Sequence, residues 1–296
     1  MPSTPRLVRR LGPGRDVVAI GLDPAPWRDA YHVLLTMTWP RFFALLFAVF
    51  LAVNSAYAFL YASLGDGIEN ARAGSLADAF FFSVQTLATI GYGRMAPRTL
   101  GANLVVSAEA VMGMIGLAVT TGLVYARFAR PTARVLFSQR AVIRPWEGTP
   151  SLIFRMGNAR VNQIVEARLE VTLLTDERTA EGETIRRVRD LRLLRSEQSM
   201  FALTWTVVHP IAEDSPLRGE TPESLRAKRA DVVVSLTGLD EGLAQVIHAR
   251  HGYGADQIGW NEKHADILST EPDGTRVIDY RRFHDTEPIG GPGAGG

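Results

Sequence analysis

The run Thr89-Ile90-Gly91-Tyr92-Gly93 places glycine at alternate positions between two long apolar segments. The chemistry open to it is cation coordination by the backbone. Glycine adopts left-handed torsions without a Cβ clash, so successive carbonyls can turn to one side. Four such strands around one axis form a ladder of oxygens that replaces the hydration shell of K⁺. The spacing predicts K⁺ held by Thr89, Ile90, Gly91 and Tyr92, closed by Gly93.

A ladder of this kind has to be carried by its neighbours. Ser75 followed by Asp78 reads as a helix cap, and Leu76 to Ala88 is an apolar, aromatic stretch too short to cross a bilayer. It predicts a half-membrane pore helix whose C-terminal dipole points partial negative charge at the ion path. No residue from Phe42 to Leu64 is charged, and Thr99 to Ala126 carries only Glu109, so both stretches exceed the ~20 residues of a membrane span. Irregular backbone is tolerated at membrane depth only where it lines a water or ion path, which points again to a pore.

Basic residues set the orientation. Arg6, Arg9, Arg10, Arg15, Arg28 and Arg41 precede the first span, and Arg127, Arg130, Arg134, Arg140 and Arg144 follow the second. Arg72, Arg94 and Arg98 between the spans are balanced by Asp66, Glu69 and Asp78. This predicts both termini in the cytoplasm of a multi-pass inner-membrane protein, with the filter entering from outside. The first apolar run begins only after about forty residues of mixed polarity, which predicts a permanent anchor rather than a signal peptide. Trp27 to Met37 reads as an amphipathic interfacial helix ending at Trp39-Pro40. Whole-chain values, a net charge of +1 and 46% hydrophobic residues, average over a membrane part and a soluble part; zero cysteines exclude disulfides and thiolate metal sites.

After Pro131 the pattern shortens to alternating runs: residues 141–144, 151–156, 167–174, 190–194, 201–208, 231–237, 265–269 and 275–279. Glu147-Gly148, Gly157-Asn158 and Pro272-Asp273-Gly274 read as turns between them. The spacing predicts a β-sandwich with one short helix at Thr221 to Arg229. The expected domains are a cytoplasmic N-terminus with interfacial helix (1–38), a transmembrane pore domain (39–130; outer helix 40–64, pore helix 76–88, filter 89–93, inner helix 99–129), a cytoplasmic β-sandwich (131–286) and a disordered tail (287–296).

These residues resemble the inward-rectifier potassium channels, most closely their bacterial KirBac branch. Beyond the filter, the resemblance rests on Ala79-Phe80-Phe81-Phe82-Ser83-Val84, Ala126-Arg127-Phe128-Ala129-Arg130-Pro131 and Gly157-Asn158-Ala159-Arg160. It continues through Trp205 with His209-Pro210-Ile211, Glu213-Asp214-Ser215-Pro216-Leu217, Ala249-Arg250-His251, and Asp279-Tyr280 with Arg282-Phe283-His284. It implies a membrane α-helical pore domain followed by an immunoglobulin-like cytoplasmic sandwich, a homotetramer, and gating by anionic or phosphoinositide lipid. The partners it implies are K⁺, those lipids, and Ba²⁺, Mg²⁺ and polyamines as blockers, with no nucleic acid and no cofactor.

By the same resemblance Leu117 and Tyr125 are pore-lining constrictions, and Gly113 and Gly116 are positions of helix flexibility or of close packing. Glu166 and Glu241 match acidic positions of the cytoplasmic pore, and Glu241 to Arg250 matches a loop forming its lower constriction. Leu117 and Ala212 stand where strong rectifiers carry acids, which implies weak rectification. Arg28, Arg127, Arg130 and Arg134 are expected at lipid headgroups. Thr36 replaces a base found in some relatives.

Glu109 is the single ionisable group of the inner span, and two roles stay open for it: a structural pairing behind the pore helix near Gln85, or conduction. His248 and His251 are three apart, with no Cys or carboxylate suitably spaced to complete a metal site. No arginine-repeat voltage sensor, phosphate-binding loop or nucleophile elbow is present. The competing reading is a membrane-tethered, tetrameric ligand sensor that conducts little.

Overall fold

The structure is a computed structural model that describes residues 6–12, 15–20, 29–129 and 133–289. The chain divides into two compact units, one formed by residues 24–130 and the other by residues 1–23 with 131–296. The second unit begins with a hairpin, β1 (Arg6–Gly12) and β2 (Arg15–Ile20), for which the sequence carries no strand signal comparable to those after Pro131.

The helical unit runs α1 (Ala30–Thr36), α2 (Trp39–Ser63), β3 (Ile68–Glu69), α3 (Leu76–Leu87), β4 (Ala96–Pro97) and α4 (Leu100–Phe128). Helices α2 and α4, of 25 and 29 residues, are long and apolar enough to cross a membrane. At about 1.5 Å per residue the 12 residues of α3 reach about half the ~30 Å hydrocarbon depth. Each start has a local cause. Pro40 sits in the first turn of α2, where a missing N–H costs nothing, and the Ser75 and Thr99 hydroxyls accept from the Asp78 and Ala102 amides to cap α3 and α4. The core of this unit is Ala58, Tyr61, Ile68, Ala79 and Phe82, with Tyr61 edge-on to Phe82 at 5.1 Å.

The β unit continues with β5 (Val135–Phe137), β6 (Ala141–Trp146), β7 (Thr149–Asn158), β8 (Ile164–Arg178), β9 (Thr184–Asp190), β10 (Glu197–Phe201), β11 (Thr204–Pro210), α5 (Pro222–Ala227), β12 (Asp231–Asp240), β13 (Gln245–Gly254) and β14 (Ile258–Trp260). Two five-stranded sheets result, β10-β8-β12-β13 with β9 on β8, and β11-β7-β6-β14 with β5 on β7; all pairs are antiparallel except β14 with β6. Alternate residues of β12 are buried, so Val232, Val234 and Leu236 meet Leu152, Phe154 and Met156 of β7 in one core between the sheets.

Glu147 and Gly148 both have positive φ (48° and 83°) and join β6 to β7 as the expected two-residue hairpin turn. Gly157 is different. It lies within β7, and its want of a side chain serves packing, since a Cβ there would stand 3.1 and 3.2 Å from the Tyr280 and Phe283 rings. The expected strand 190–194 is a crossing instead: Leu191 donates its N–H to Val171 of one sheet and Leu194 to Val208 of the other. Beyond β14 come β15 (Glu262–His264), β16 (Leu268–Thr270), β17 (Arg276–Ile278) and β18 (Thr286–Pro288). Strand β18 pairs with β15, so the tail read as disordered from Glu287 is ordered through Ile289, whose N–H reaches the Asn261 carbonyl.

The terminal segment is tied to the sandwich by one buried cation. Arg155, 6% exposed, donates from Nε to the Phe283 carbonyl, from Nη1 to Ala265 and from Nη2 to Arg282, at 2.8, 2.8 and 3.0 Å. Three charge-assisted bonds satisfy a guanidinium that burial would otherwise penalise.

Candidate functional site

Helix α3 ends in a turn that sets the filter. Thr89 N–H bonds to the Thr86 carbonyl at 3.0 Å and Ile90 N–H to the Gln85 carbonyl at 2.8 Å. With Ala88 as the cap residue, these are the paired bonds of a Schellman termination, which demands a left-handed residue at Thr89. Thr89 has φ +56°. A β-branched residue there is a genuine outlier, accepted only because the helix end over-determines it. Gly91 and Gly93 follow at +57° and +77°, while Ile90 and Tyr92 stay in the ordinary half of torsion space. The alternation thus covers 89, 91 and 93, one position more than the glycine pattern announced, and it is the alternation that a one-sided carbonyl ladder requires. Among the described residues of the protomer no atom lies within 4 Å of a Cβ built on either glycine, so within the chain it is torsion that selects them.

Behind this ladder α4 presses on the end of α3. A Cβ on Gly113 would lie 2.5 Å from the Leu87 carbonyl oxygen, whereas one on Gly116 would meet no described atom of the protomer within 4 Å. Of the two roles left open for Gly113, the structure displays close packing. On the same helix Leu117 and Tyr125 are 67% and 74% exposed in the protomer and about 80° apart around the axis.

Glu109 is completely buried and pairs with the outer helix and the pore helix. Its partners are the Tyr61 hydroxyl at 2.5 Å and the Ser83 hydroxyl at 2.5 Å, with Ser83 also 3.0 Å from Asn54 Oδ1. Pairing behind the pore helix in the region of Gln85 was one of the two expectations; the partner on that helix is Ser83, two residues before Gln85.

At the other end of α4, Arg127 turns inward. It donates from Nη1 to the Leu34 carbonyl and from Nη2 to the Met37 carbonyl at 2.6 Å, with its guanidinium 4.5 Å from the centres of the Trp39 and Phe42 rings. These bonds satisfy the open C-terminal end of α1. The sequence reading missed this tie, and only the aromatic cluster at Trp39 signalled it. Arg28 and Arg130 lie outside the described residues, and Arg134 is exposed.

In the β unit, Glu166 and Glu241 lie at the same end of one sheet. Glu166 is exposed, has φ +50°, and is the extra residue of a bulge where β8 slips against β12 between Thr237 and Leu239. Glu241 is exposed in the tight turn 241–244, its N–H on the Gln163 carbonyl. The segment 241–250 is therefore only partly a loop, since β13 begins at Gln245. Asp240 builds the turn: it is 2% exposed, accepts from the Gly242 and Leu243 amides at 3.0 and 3.1 Å, and faces Arg160 at 3.5 Å. Asp240 followed two residues later by Gly242 was the available signal.

The histidines serve the fold. His248 and His251 fall on opposite faces of β13 because their separation is odd; one meets the Thr237 hydroxyl at 3.1 Å, and the other stacks on Phe137 at 5.0 Å. Burial lowers the proton affinity of His209, whose Nδ1 donates to the Arg192 carbonyl at 2.6 Å while Nε2 accepts from Ser215 at 2.8 Å. This pair joins two of the resemblance motifs.

Comparison with known proteins agrees with this arrangement. Residues 135–294 match the family model of the inward rectifier potassium channel C-terminal domain, and residues 45–130 match that of ion channels. The chain is 47% identical to inward rectifier potassium channel Kirbac3.1 of Paramagnetospirillum magnetotacticum over 95% of each chain. It is 35% identical to inward rectifier potassium channel 4 of Homo sapiens over 72% of this chain and 50% of the relative. Against ATP-sensitive inward rectifier potassium channel 12 of Gallus gallus the identity is 30%, over 90% and 68%. The chain thus spans nearly the whole prokaryotic relative and about half the length of the human channel. A half-span helix ending in a left-handed carbonyl run, two flanking apolar helices and a two-sheet C-terminal domain place the chain in the inward rectifier potassium channel family, on its prokaryotic branch.

Proposed function

We propose that four copies of this chain form a K⁺-selective pore that conducts passively and is gated by anionic lipid and by movement of the β-domains. The observation that carries this reading is the left-handed alternation at Thr89, Gly91 and Gly93, delivered by the helix end that precedes it. Four copies of Thr89 to Tyr92 supply the K⁺ sites. The apolar rings of Leu117 and Tyr125 narrow the path by dewetting, and Gly113 lets α4 lie close to the filter support.

In this reading residues 1–38 are the cytoplasmic N-terminus with its interfacial helix, 39–130 the pore domain and 131–286 the cytoplasmic β-domain. Glu166 and Glu241 face the cytoplasmic path. Arg28, Arg130 and Arg134 attract anionic headgroups at about 1 kcal/mol each. Arg127 ties the interfacial helix to the inner helix. Leu117 and Ala212 leave no carboxylate ring to concentrate Mg²⁺ or polyamine in those places, so rectification is weak.

The test is ⁸⁶Rb⁺ uptake into K⁺-loaded liposomes, in neutral lipid and with added anionic lipid or phosphoinositide, against Ba²⁺ and Na⁺. Uptake blocked by Ba²⁺, indifferent to Na⁺ and altered by the lipid is the expected result. A verified tetramer that takes up nothing in any lipid overturns conduction in favour of a ligand sensor.

A further inference from the structure

The hydrogen atoms around Glu109 can be counted. Asn54 stands 2.7 Å from the Phe50 carbonyl oxygen, so the atom on that side is its amide nitrogen and the other is Oδ1. Oδ1 has no hydrogen, so its 3.0 Å contact with Ser83 Oγ uses the serine's one proton. Tyr61 spends its proton on Glu109 Oε2. The remaining contact, Ser83 Oγ to Glu109 Oε1, is 2.5 Å between two oxygens and needs a third proton. Only the carboxyl group can supply it.

Burial argues the same way. Glu109, Asn54 and Ser83 are 0% exposed and Tyr61 is 1% exposed, and an ionised carboxylate in such a place requires a cation. The groups facing it are Tyr61 and Asn54 from α2 and Ser83 from α3, with Tyr57 near Tyr61; none of them carries a positive charge.

We propose that Glu109 is held as a neutral acid whose Oε1–H donates to Ser83, forming a relay from Glu109 through Ser83 to Asn54 that fixes the pore helix between the outer and inner helices. Glu109 is thereby a positioning residue for the filter. Ser83 is two residues before Gln85, whose carbonyl holds the Ile90 amide, so the relay sets the rotation of the helix turn that starts the carbonyl ladder. This consequence rests on the filter reading above; the proton count does not.

Infrared difference spectra of the full-length channel, wild type minus E109Q, separate the two. At neutral pH the expected difference contains the C=O stretch of a protonated carboxylic acid and no carboxylate band. In S83A that stretch shifts to higher frequency as its acceptor is lost, which identifies the band even where E109Q fails to assemble. A carboxylate band in the difference, or an unshifted stretch in S83A, overturns the proposal. For flux, E109Q retains Rb⁺ over Na⁺ selectivity because its amide can donate to Ser83 and accept from Tyr61, whereas E109L loses it. Raising the pH reduces wild-type flux and leaves E109Q flat; equal profiles overturn the positioning role. A protonated band in a channel that conducts nothing leaves the proton assignment standing and overturns the filter reading alone.

Discussion

Replacing Gly113 by alanine separates its two possible roles by sign. As a point of helix flexibility, Gly113→Ala removes backbone freedom from the unfolded chain and adds about 1 kcal/mol of helix preference. As a point of close packing it drives a methyl to 2.5 Å from the Leu87 carbonyl oxygen, where real Cβ contacts do not fall below 3.0 Å, so α4 and the end of α3 must part by about half an ångström. The obstacle is backbone, with Leu87 C and Cα also at 3.3 and 3.4 Å, so no side-chain rotation relieves it. Overpacking of this kind costs about 1–3 kcal/mol, and a backbone obstacle belongs at the upper end. Against the gain in helix preference the net is a loss of about 2 kcal/mol. Within the protomer Gly116→Ala meets no described atom within 4 Å and gains about 0.5–1 kcal/mol. Thermal midpoints of the purified full-length channel should therefore rank Gly116→Ala above wild type and wild type above Gly113→Ala. Rb⁺ over Na⁺ selectivity should fall in the Gly113 variant alone, since Leu87 is two residues from Thr89. A Gly113→Ala channel as stable as the Gly116 variant, with selectivity intact, refutes the packing argument.

Arg127→Gln removes two charge-assisted bonds from the end of α1, worth about 3 kcal/mol together, so amides from Val33 to Met37 should exchange with solvent about 100-fold faster. Unchanged exchange with a reduced response to anionic lipid would return Arg127 to the headgroups. His264 donates from Nε2 to the Arg140 carbonyl at 3.0 Å, and burial, aided by Arg155 and Arg144, pushes its pKa down to about 4 from 6.5. The unfolded chain then binds the extra proton first. Stability is full above pH 6.5, declines as pH falls towards 4, and is flat below, with a total loss of at most about 3 kcal/mol. Melting of the wild type and of His264→Gln across that range checks it: the variant's profile should lack this slope.

Much of this molecule was legible because its periodicities are strong. The long apolar runs at 42–64, uncharged, and 99–126, charged only at Glu109, the Ser75 cap and the alternation of β12 each follow from one local rule. Other parts were hidden where a local rule met a tertiary demand. The charged strand β9 has no apolar face to announce it, because both of its faces stay largely accessible. Leu191 and Leu193 look like strand residues, yet their segment bridges two sheets. Gly157 resembles a turn glycine and is a packing glycine. At the candidate site the glycines of the ladder were readable, whereas the left-handed Thr89 and the Arg127 tie were not, since each depends on which carbonyls lie nearby in space.

The shared residue at Thr89 also bears on transplantation. Because the last turn of α3 and the first rung of the ladder are one hydrogen-bonded motif, the pentapeptide is not a portable part. A synthetic pore that borrowed residues 89–93 alone would leave the Gln85 and Thr86 carbonyls behind and let Thr89 relax to an ordinary torsion, turning the first oxygen away. The smallest module that keeps its own instructions runs from the Ser75 cap to Gly93, with start signal, length and stop signal all encoded within it.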